Sequence, residues 1–281
     1  MIEYEKELVH NKLGRPYWIY KHDKFFQQRI AGAGPYQQKN LKYIRALVPD
    51  ARTIIDVGMN IGMNTIEYAT WADEVKSFEP VKQTYDMAQL NIQLAKEQKE
   101  FLTTWWPNSS LRQRANIETH NCGIGDRSGS FEIQIKKNNA GACHLKRTHG
   151  KRGPVNEKTK PSLDEIQTVK VNTLDSYGYE NVDVIKVDVE GYEYPVVLGA
   201  EETILRDRPV VQLEMTDGYP DRFGYTLQMI QDWFIERDFI ITLADGTKVD
   251  DEFTYHKRNA ERFFIHKNKY EKSTLEDLLC K

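Results

Sequence analysis

The stretch TIIDVGMNIGMNTIEYATWA, residues 53–72, changes its apolar pattern halfway, and this change decides the fold. Residues 53–57 form a short apolar run, two glycines mark the turn 58–62, and the apolar side chains then recur at helical spacing. This order predicts a strand, a glycine turn and a helix. EVKSFEP, residues 74–80, then reads as a second strand, and Pro80 opens a second helix. Two consecutive strand–helix units predict a parallel, doubly wound α/β sheet.

The rest of the chain continues this alternation of strands and helices. Residues 183–189 and 208–214 read as further strands, and TLQMIQDWFIERDF, residues 226–239, reads as an amphipathic helix. A pair of strands closes the chain at 239–246 and 261–267. The economical interpretation is a single α/β domain with an N-terminal appendage.

Composition excludes several classes of protein. The 281 residues can bury a sizeable core, and 39 Lys+Arg against 42 Asp+Glu give a net charge of −3, so the whole molecule has no bulk attraction to nucleic acid or to an anionic membrane. No apolar run is long enough to span a bilayer. The three cysteines, Cys122, Cys143 and Cys280, form no C-x-x-C pair, which favours a reducing compartment. We therefore expect a soluble, cytoplasmic protein.

The glycine turn predicts a ligand that approaches the backbone closely. Gly58 and Gly62 can adopt backbone angles that a Cβ forbids, and ligands of open α/β sheets bind outside the carboxyl ends of the strands. Glu79 closes the second strand, where a carboxylate can accept hydrogen bonds from both ribose hydroxyls of a nucleoside. The turn and this carboxylate together indicate an adenosine ligand.

Two adenosine cofactors fit this pattern, a nicotinamide dinucleotide and S-adenosylmethionine. The dinucleotide fingerprint needs glycine where Asn60 stands, and the carboxylate of Asp56 would repel a pyrophosphate. A carboxylate suits a ligand that carries an ammonium and a sulfonium. The turn therefore favours S-adenosylmethionine.

Three segments together resemble the FkbM family of S-adenosylmethionine-dependent methyltransferases. They are IIDVGMNIGMNT (54–65), VDVIKVDVEGYEYPVVLGA (182–200) and RPVVQLE (208–214), and the resemblance extends from about Leu41 to His266. It implies a Rossmann-like class I methyltransferase fold, in which helices cover both faces of a mostly parallel seven-stranded sheet whose last strand is antiparallel. It also implies methyl transfer, usually to a hydroxyl of a sugar, a polyketide or a similar small acceptor.

The resemblance also implies roles for individual residues. The turn that holds the methionine part of the cofactor corresponds to Asp56, Gly58, Met59, Asn60 and Gly62. The ribose position corresponds to Glu79, which is followed by Pro80, and the adenine side corresponds to Asn121.

Charges alternate with apolar residues in DVIKVDVEGYE, residues 183–193, which otherwise reads as a buried strand. In a doubly wound sheet this strand lies between the first strand and RPVVQLE, so Asp188 and Glu214 both reach the cofactor crevice. We expect Asp188 to border the cofactor and to accept the proton of an acceptor hydroxyl, with Glu190 on the next loop and Lys186 orienting the carboxylate. Structural pairing of Lys186 with Asp188 or Glu214 is the alternative.

The same carboxylates could instead hold a divalent cation such as Mg²⁺. Asp188 and Glu214 offer the hard oxygen ligands that such an ion prefers, and the ion could lower the pKa of a bound hydroxyl. The sequence leaves both mechanisms open.

These patterns predict an O-methyltransferase acting on a hydroxyl of a sugar, glycan or similar small acceptor. We expect residues 1–40 to be an extension packed on the core and residues 41–281 to be the methyltransferase domain, with a basic insertion at about 136–160. One alternative is a nucleic-acid ribose methyltransferase that holds phosphates with this insertion, although the negative net charge disfavours it. The other is a non-catalytic adapter, which would have no reason to keep carboxylates at three separate strand ends.

Overall fold

The computed structural model describes residues 5–12, 14–31, 36–97, 115–135, 143–145, 165–216, 220–249 and 260–270. Its strands are β1 (Lys6–His10), β2 (Pro16–Tyr20), β3 (Ala51–Val57), β4 (Ala72–Phe78), β5 (Asn116–His120), β6 (Gly123–Ile124), β7 (Gly129–Ile135), β8 (His144–Leu145), β9 (Glu165–Asn172), β10 (Val182–Val187), β11 (Val210–Met215), β12 (Phe239–Thr242) and β13 (Ala260–His266). Its α-helices are α1 (Lys24–Ile30), α2 (Gln38–Leu47), α3 (Met63–Tyr68), α4 (Lys82–Glu97), α5 (Glu193–Leu198), α6 (Glu201–Asp207), α7 (Leu227–Ile235) and α8 (Lys267–Tyr270).

The described strands form a main sheet of seven strands in the order β12-β13-β11-β10-β3-β4-β5. Strands β11, β10, β3, β4 and β5 pair in parallel, whereas β13 runs antiparallel to both of its neighbours. The sheet is parallel because a helix returns the chain between successive strands. The expected fold class, a mostly parallel seven-stranded α/β sheet with an antiparallel last strand, is confirmed.

Helices cover both faces of this sheet because its central strands are apolar on both faces. In β3, Ile54 belongs to the core cluster that includes Ile44 of α2. Its neighbour Ile55 belongs to the cluster that includes Val196 of α5 and Phe234 of α7. Successive side chains of a strand point to opposite faces, so two adjacent isoleucines anchor two helical layers.

The N-terminal segment packs against the helices that follow the glycine turn. The side chain of Asn91 in α4 accepts a hydrogen bond from the Trp18 amide at 2.6 Å and donates to the carbonyls of Trp18 at 3.1 Å and Ile61 at 2.9 Å. Arg15 and Glu67 form an ion pair in which both side chains are buried. These contacts join the β1–β2 hairpin to α3, α4 and the turn.

Four further strands form a second sheet in the order β6-β9-β7-β8. In the sequence, these strands come between β5 and β10 of the main sheet. Strand β8 falls within the basic insertion predicted at 136–160, of which the structure describes only residues 143–145. The lysines and arginines of this insertion lie outside the described residues. The proposed boundary between an extension at 1–40 and a domain at 41–281 stays a prediction. Among the described helices, none has the length and apolar character needed to cross a bilayer.

Candidate active site

The carboxyl ends of β3, β4, β10 and β11 border one cavity of about 340 Å³. This volume lies within the range of small-molecule sites, roughly 300–1,000 Å³. Its position is the crevice where open α/β sheets bind their ligands. The sequence-predicted site residues that line it are Gly58, Met59, Asn60, Glu79, Pro80, Lys186, Asp188, Glu190 and Glu214.

The glycine turn folds tightly against the end of β10. Gly58 has φ of +83°, and a Cβ added there would lie 2.0 Å from the carbonyl oxygen of Asp188. The amides of Gly58 and Met59 both donate to the carbonyl of Phe78, at 3.0 and 2.9 Å. Gly62 also has a positive φ, +87°, and it is the N-cap residue that precedes α3. Only a residue without a Cβ fits at position 58, so the first predicted glycine is explained by sterics.

Glu79 is the buried carboxylate at the end of β4. Its oxygens accept hydrogen bonds from the amide of Asn60 at 3.1 Å and the amide of Val81 at 2.9 Å. Burial raises the pKa of Glu79 to about 7 despite these two bonds. Asn121 lies on the outside of this turn, where its side chain donates to the carbonyls of Glu79 at 2.9 Å and Pro80 at 3.2 Å. The structure thus places Asn121 as a brace of the Glu79 turn rather than in the cavity lining.

Asp56 and Lys186 form a buried ion pair behind the cavity wall. Asp56 is fully buried, and its carboxylate lies 3.2 Å from the ammonium of Lys186 and accepts a 2.7 Å hydrogen bond from Thr65. The ammonium also donates to the carbonyl of Gly58 at 2.8 Å and lies 3.7 Å from Asp188. Burial alone would lower the pKa of Lys186, but Asp56 and Asp188 outweigh it and raise that pKa.

The first contact of the lysine is therefore different from the expected one. Sequence reasoning placed Lys186 beside Asp188 or Glu214; Asp188 does lie 3.7 Å away, but the strand register puts Lys186 directly opposite Asp56, which is closer at 3.2 Å. Asp56 does not line the cavity, because its carboxylate is engaged by Lys186 and Thr65. The pair fixes the glycine turn to β10.

The acidic side of the cavity lies at the ends of β10 and β11. Asp188 keeps 22% of its side chain exposed, and Glu214 stands on the neighbouring strand. Burial, together with the charges of Asp188, Glu190 and Glu193, raises the pKa of Glu214 to about 10. Glu214 therefore carries a proton at neutral pH.

The loop after β10 is held by a buried carboxylate that sequence reasoning did not single out. Glu193 accepts hydrogen bonds from the amides of Val189 at 3.3 Å and Gly191 at 3.0 Å. Tyr225 donates to Glu193 at 3.3 Å and to the carbonyl of Gly191. Glu190 adopts φ of +57° within this loop. The brace explains how a strained loop keeps its side chains at the cavity.

The N-terminal segment supplies a wall of the cavity that sequence reasoning also missed. The lining residues from this segment are Phe25, Phe26, Arg29, Tyr36 and Gln37. Burial, followed by the charge of Asp188, raises the pKa of Tyr36 to about 12, so this phenol stays protonated and can donate a hydrogen bond. The aromatic composition of residues 17–26 was the available signal, but it is equally typical of core packing.

A divalent cation at Asp188 and Glu214 is not supported. Within the described part of the chain, no group of three or more His, Cys, Asp or Glu side chains is placed to hold a metal ion. The charge of Asp188 instead contributes to the raised pKa of Glu214. The metal-assisted mechanism considered from the sequence therefore has no support in the geometry.

The sheet with its antiparallel strand, together with a glycine turn and an acidic strand end at one crevice, defines the Rossmann-like methyltransferase class. Comparison with known proteins then gives the family: the methyltransferase FkbM domain model matches residues 56–241, and the chain belongs to this family. The resemblance carried by the three segments is confirmed.

Individual relatives are distant. Methyltransferase 1 from Beauveria bassiana (strain ARSEF 2860) is 26% identical over 186 residues, which cover 61% of this chain and 68% of that protein. The crystal structure of Methyltransferase FkbM from Methylobacillus flagellatus KT is 16% identical with a TM-score of 0.47; the match covers 77% of this chain and 44% of that one. This chain therefore spans less than half the length of that protein. A Streptococcus mutans protein in complex with SAH is 11% identical with a TM-score of 0.42, over 83% of this chain and 97% of that one.

Proposed function

We propose that this protein is an S-adenosylmethionine-dependent O-methyltransferase that acts on a hydroxyl of a sugar, glycan or similar small acceptor. The observation that carries the proposal is the position of Asp188. Its partly exposed carboxylate stands in the cavity at the end of β10, against the glycine turn at Gly58 and beside the protonated Glu214.

The residues of the cavity fit S-adenosylmethionine. Glu79 offers a buried carboxylate to the ribose hydroxyls, as expected from its position after the turn. The side-chain oxygens of Asn60 and Asn64 have no hydrogen-bond partner among the described residues, so they can accept from the ammonium of the methionine part. The ligand would supply a methyl carbon activated by the sulfonium.

Asp188 then handles the single proton of the reaction. The oxygen of the acceptor hydroxyl forms a bond to the methyl carbon while the bond from that carbon to sulfur breaks, and Asp188 accepts the hydroxyl proton. Lys186 is 2% exposed and holds Asp188 from behind, so we assign it a positioning role rather than contact with the acceptor. The phenol of Tyr36 lines the same side and can donate a hydrogen bond to the acceptor.

The lining also favours a polyhydroxylated acceptor over a nucleic acid. Carboxylates accept hydrogen bonds from hydroxyls, and the lining carries carboxylates at Glu79, Asp188, Glu190 and Glu214. Those carboxylates that are ionised would repel a phosphate backbone.

The test is methyl transfer from labelled S-adenosylmethionine to panels of glycans, nucleotide sugars and RNA. We expect a glycan or sugar to be labelled and Asp188→Asn to lower kcat on the order of 100-fold or more with little change in affinity for S-adenosylhomocysteine. Asp183→Asn, at the opposite end of the same strand, is the control and should keep the wild-type rate. A folded Asp188→Asn protein with an unchanged rate would contradict the role of Asp188; labelling of RNA alone would contradict the acceptor class.

A further inference from the structure

Helix α1 brings a positive charge to the glycine turn. Apolar side chains of the helix and of the turn share one core cluster, which contains Phe26, Ile30, Met59, Ile61 and Met63. This packing seats the helix directly on the turn. Arg29 lies on the cavity side of α1 and lines the cavity together with Asn60 and Asn64.

Arg29 is the available cation of an otherwise acidic cavity. The other cation of the lining, Lys186, is buried and already paired with Asp56. The guanidinium of Arg29 is exposed and makes no hydrogen bond or ion pair with any other described residue; its contact is with the ring of Phe25, 5.1 Å from the centroid. Stacking on Phe25 orients the guanidinium without neutralising its charge.

On the basis of the proposed function, we propose that Arg29 binds the carboxylate of the methionine part of S-adenosylmethionine. That carboxylate would otherwise enter a cavity bordered by the acidic side chains of Asp188 and Glu190. An arginine fork can bind a carboxylate through two parallel hydrogen bonds, which gives both orientation and affinity. Because Arg29 lies outside residues 56–241, the cofactor site of this chain extends beyond the matched family domain.

A second observation places Arg29 near the reacting end of the cavity. The charge of Arg29 acts on Tyr36, where it opposes the rise in pKa caused mainly by burial and by Asp188. Arg29 therefore lies within electrostatic range of the residues that face the acceptor. A ligand carboxylate bound to Arg29 would neutralise the positive charge of its guanidinium.

Calorimetry with two ligands tests this assignment without any turnover. S-adenosylhomocysteine carries the carboxylate, and its decarboxylated analogue keeps the adenosine and the ammonium but lacks that group. We expect Arg29→Ala to weaken binding of S-adenosylhomocysteine by about tenfold to hundredfold and to leave binding of the analogue unchanged. Arg29→Lys should retain part of the preference, because it keeps the charge but not the fork.

Lys24→Ala is the matched control, since Lys24 is an exposed cation on the same helix that does not line the cavity. It should leave the affinities for both ligands unchanged. An equal loss of affinity for the two ligands in Arg29→Ala would overturn the assignment and indicate a structural role. Unchanged affinities with a raised KM for the acceptor would also overturn it, in favour of an acceptor contact. Failure of the wild-type protein to bind either ligand would instead overturn the proposed function itself.

Discussion

Replacement of Lys186 by methionine isolates the energetic role of the buried ion pair. Methionine has a similar length and no charge, so Lys186→Met removes the ammonium while it largely preserves the packing. The fully buried Asp56 is then left with Thr65 as its polar partner. The substitution tests whether the ammonium is needed to keep a carboxylate inside the protein.

The matched control is Lys76→Met on β4. Lys76 is also nearly buried, at 6% exposed, and it also has two carboxylate partners, Glu74 at 2.8 Å and Glu118 at 2.9 Å. Those partners are 46% and 41% exposed, so water can solvate them once the lysine is gone. Exposed pairs contribute about 0.2–1 kcal/mol, and we expect the control to cost no more than that.

For Lys186→Met we expect a loss of about 3–5 kcal/mol in the free energy of unfolding at pH 7, because it leaves a buried charge without compensation. This is a large part of the roughly 5–15 kcal/mol that holds a typical domain folded. Urea unfolding curves followed by circular dichroism measure the difference. The double variant Lys186→Met with Asp56→Asn should recover most of the loss, since it removes both charges.

The loss should also depend on pH. Burial raises the pKa of Asp56 and Lys186 lowers it, so removal of the lysine raises it further. A carboxyl group whose pKa is higher in the folded state binds more protons when folded, so its effect favours folding at low pH and is lost as the pH rises. The cost of Lys186→Met should therefore be larger at pH 8 than at pH 5. Equal costs for Lys186→Met and Lys76→Met, without any dependence on pH, would refute the buried-pair account.

Two further predictions concern the cofactor side. Gly58→Ala should abolish binding of S-adenosylhomocysteine and lower Tm, because its Cβ would lie 2.0 Å from the Asp188 carbonyl. The control Gly178→Ala, at φ of +63° with nothing within 4 Å, should cost only about 1–2 kcal/mol of backbone strain and keep the affinity. Equal melting temperatures of the two variants would contradict this prediction. Because burial raises the pKa of Glu79 to about 7, protonation at pH 6 removes an acceptor for the ribose, so affinity should rise from pH 6 to pH 8 and stay low and flat in Glu79→Gln. Calorimetry at both pH values checks this, and the same slope in both proteins would count against it.

Local patterns in the sequence were enough for the class of fold and for much of the site. The apolar run before Gly58 and the helical spacing after it encode a strand–turn–helix unit, and the repetition of that unit dictates a parallel sheet. Once the sheet is parallel, residues at strand ends must meet, which is why Glu79 and Asp188 could be assigned to one crevice.

Two features of the site required the tertiary structure. The partner of Lys186 depends on the register of β10 against β3, two strands that are far apart in the chain, and a shift of one residue would replace Asp56 by an apolar neighbour. The contribution of Arg29 and Tyr36 depends on where the N-terminal segment docks, which is set by the burial of its apolar side chains against the turn. The sequence by itself thus determined the backbone pattern and the strand ends, because those follow from local periodicity. Register and docking were decided only by the folded chain, because they minimise the free energy of contacts between residues that no local pattern connects.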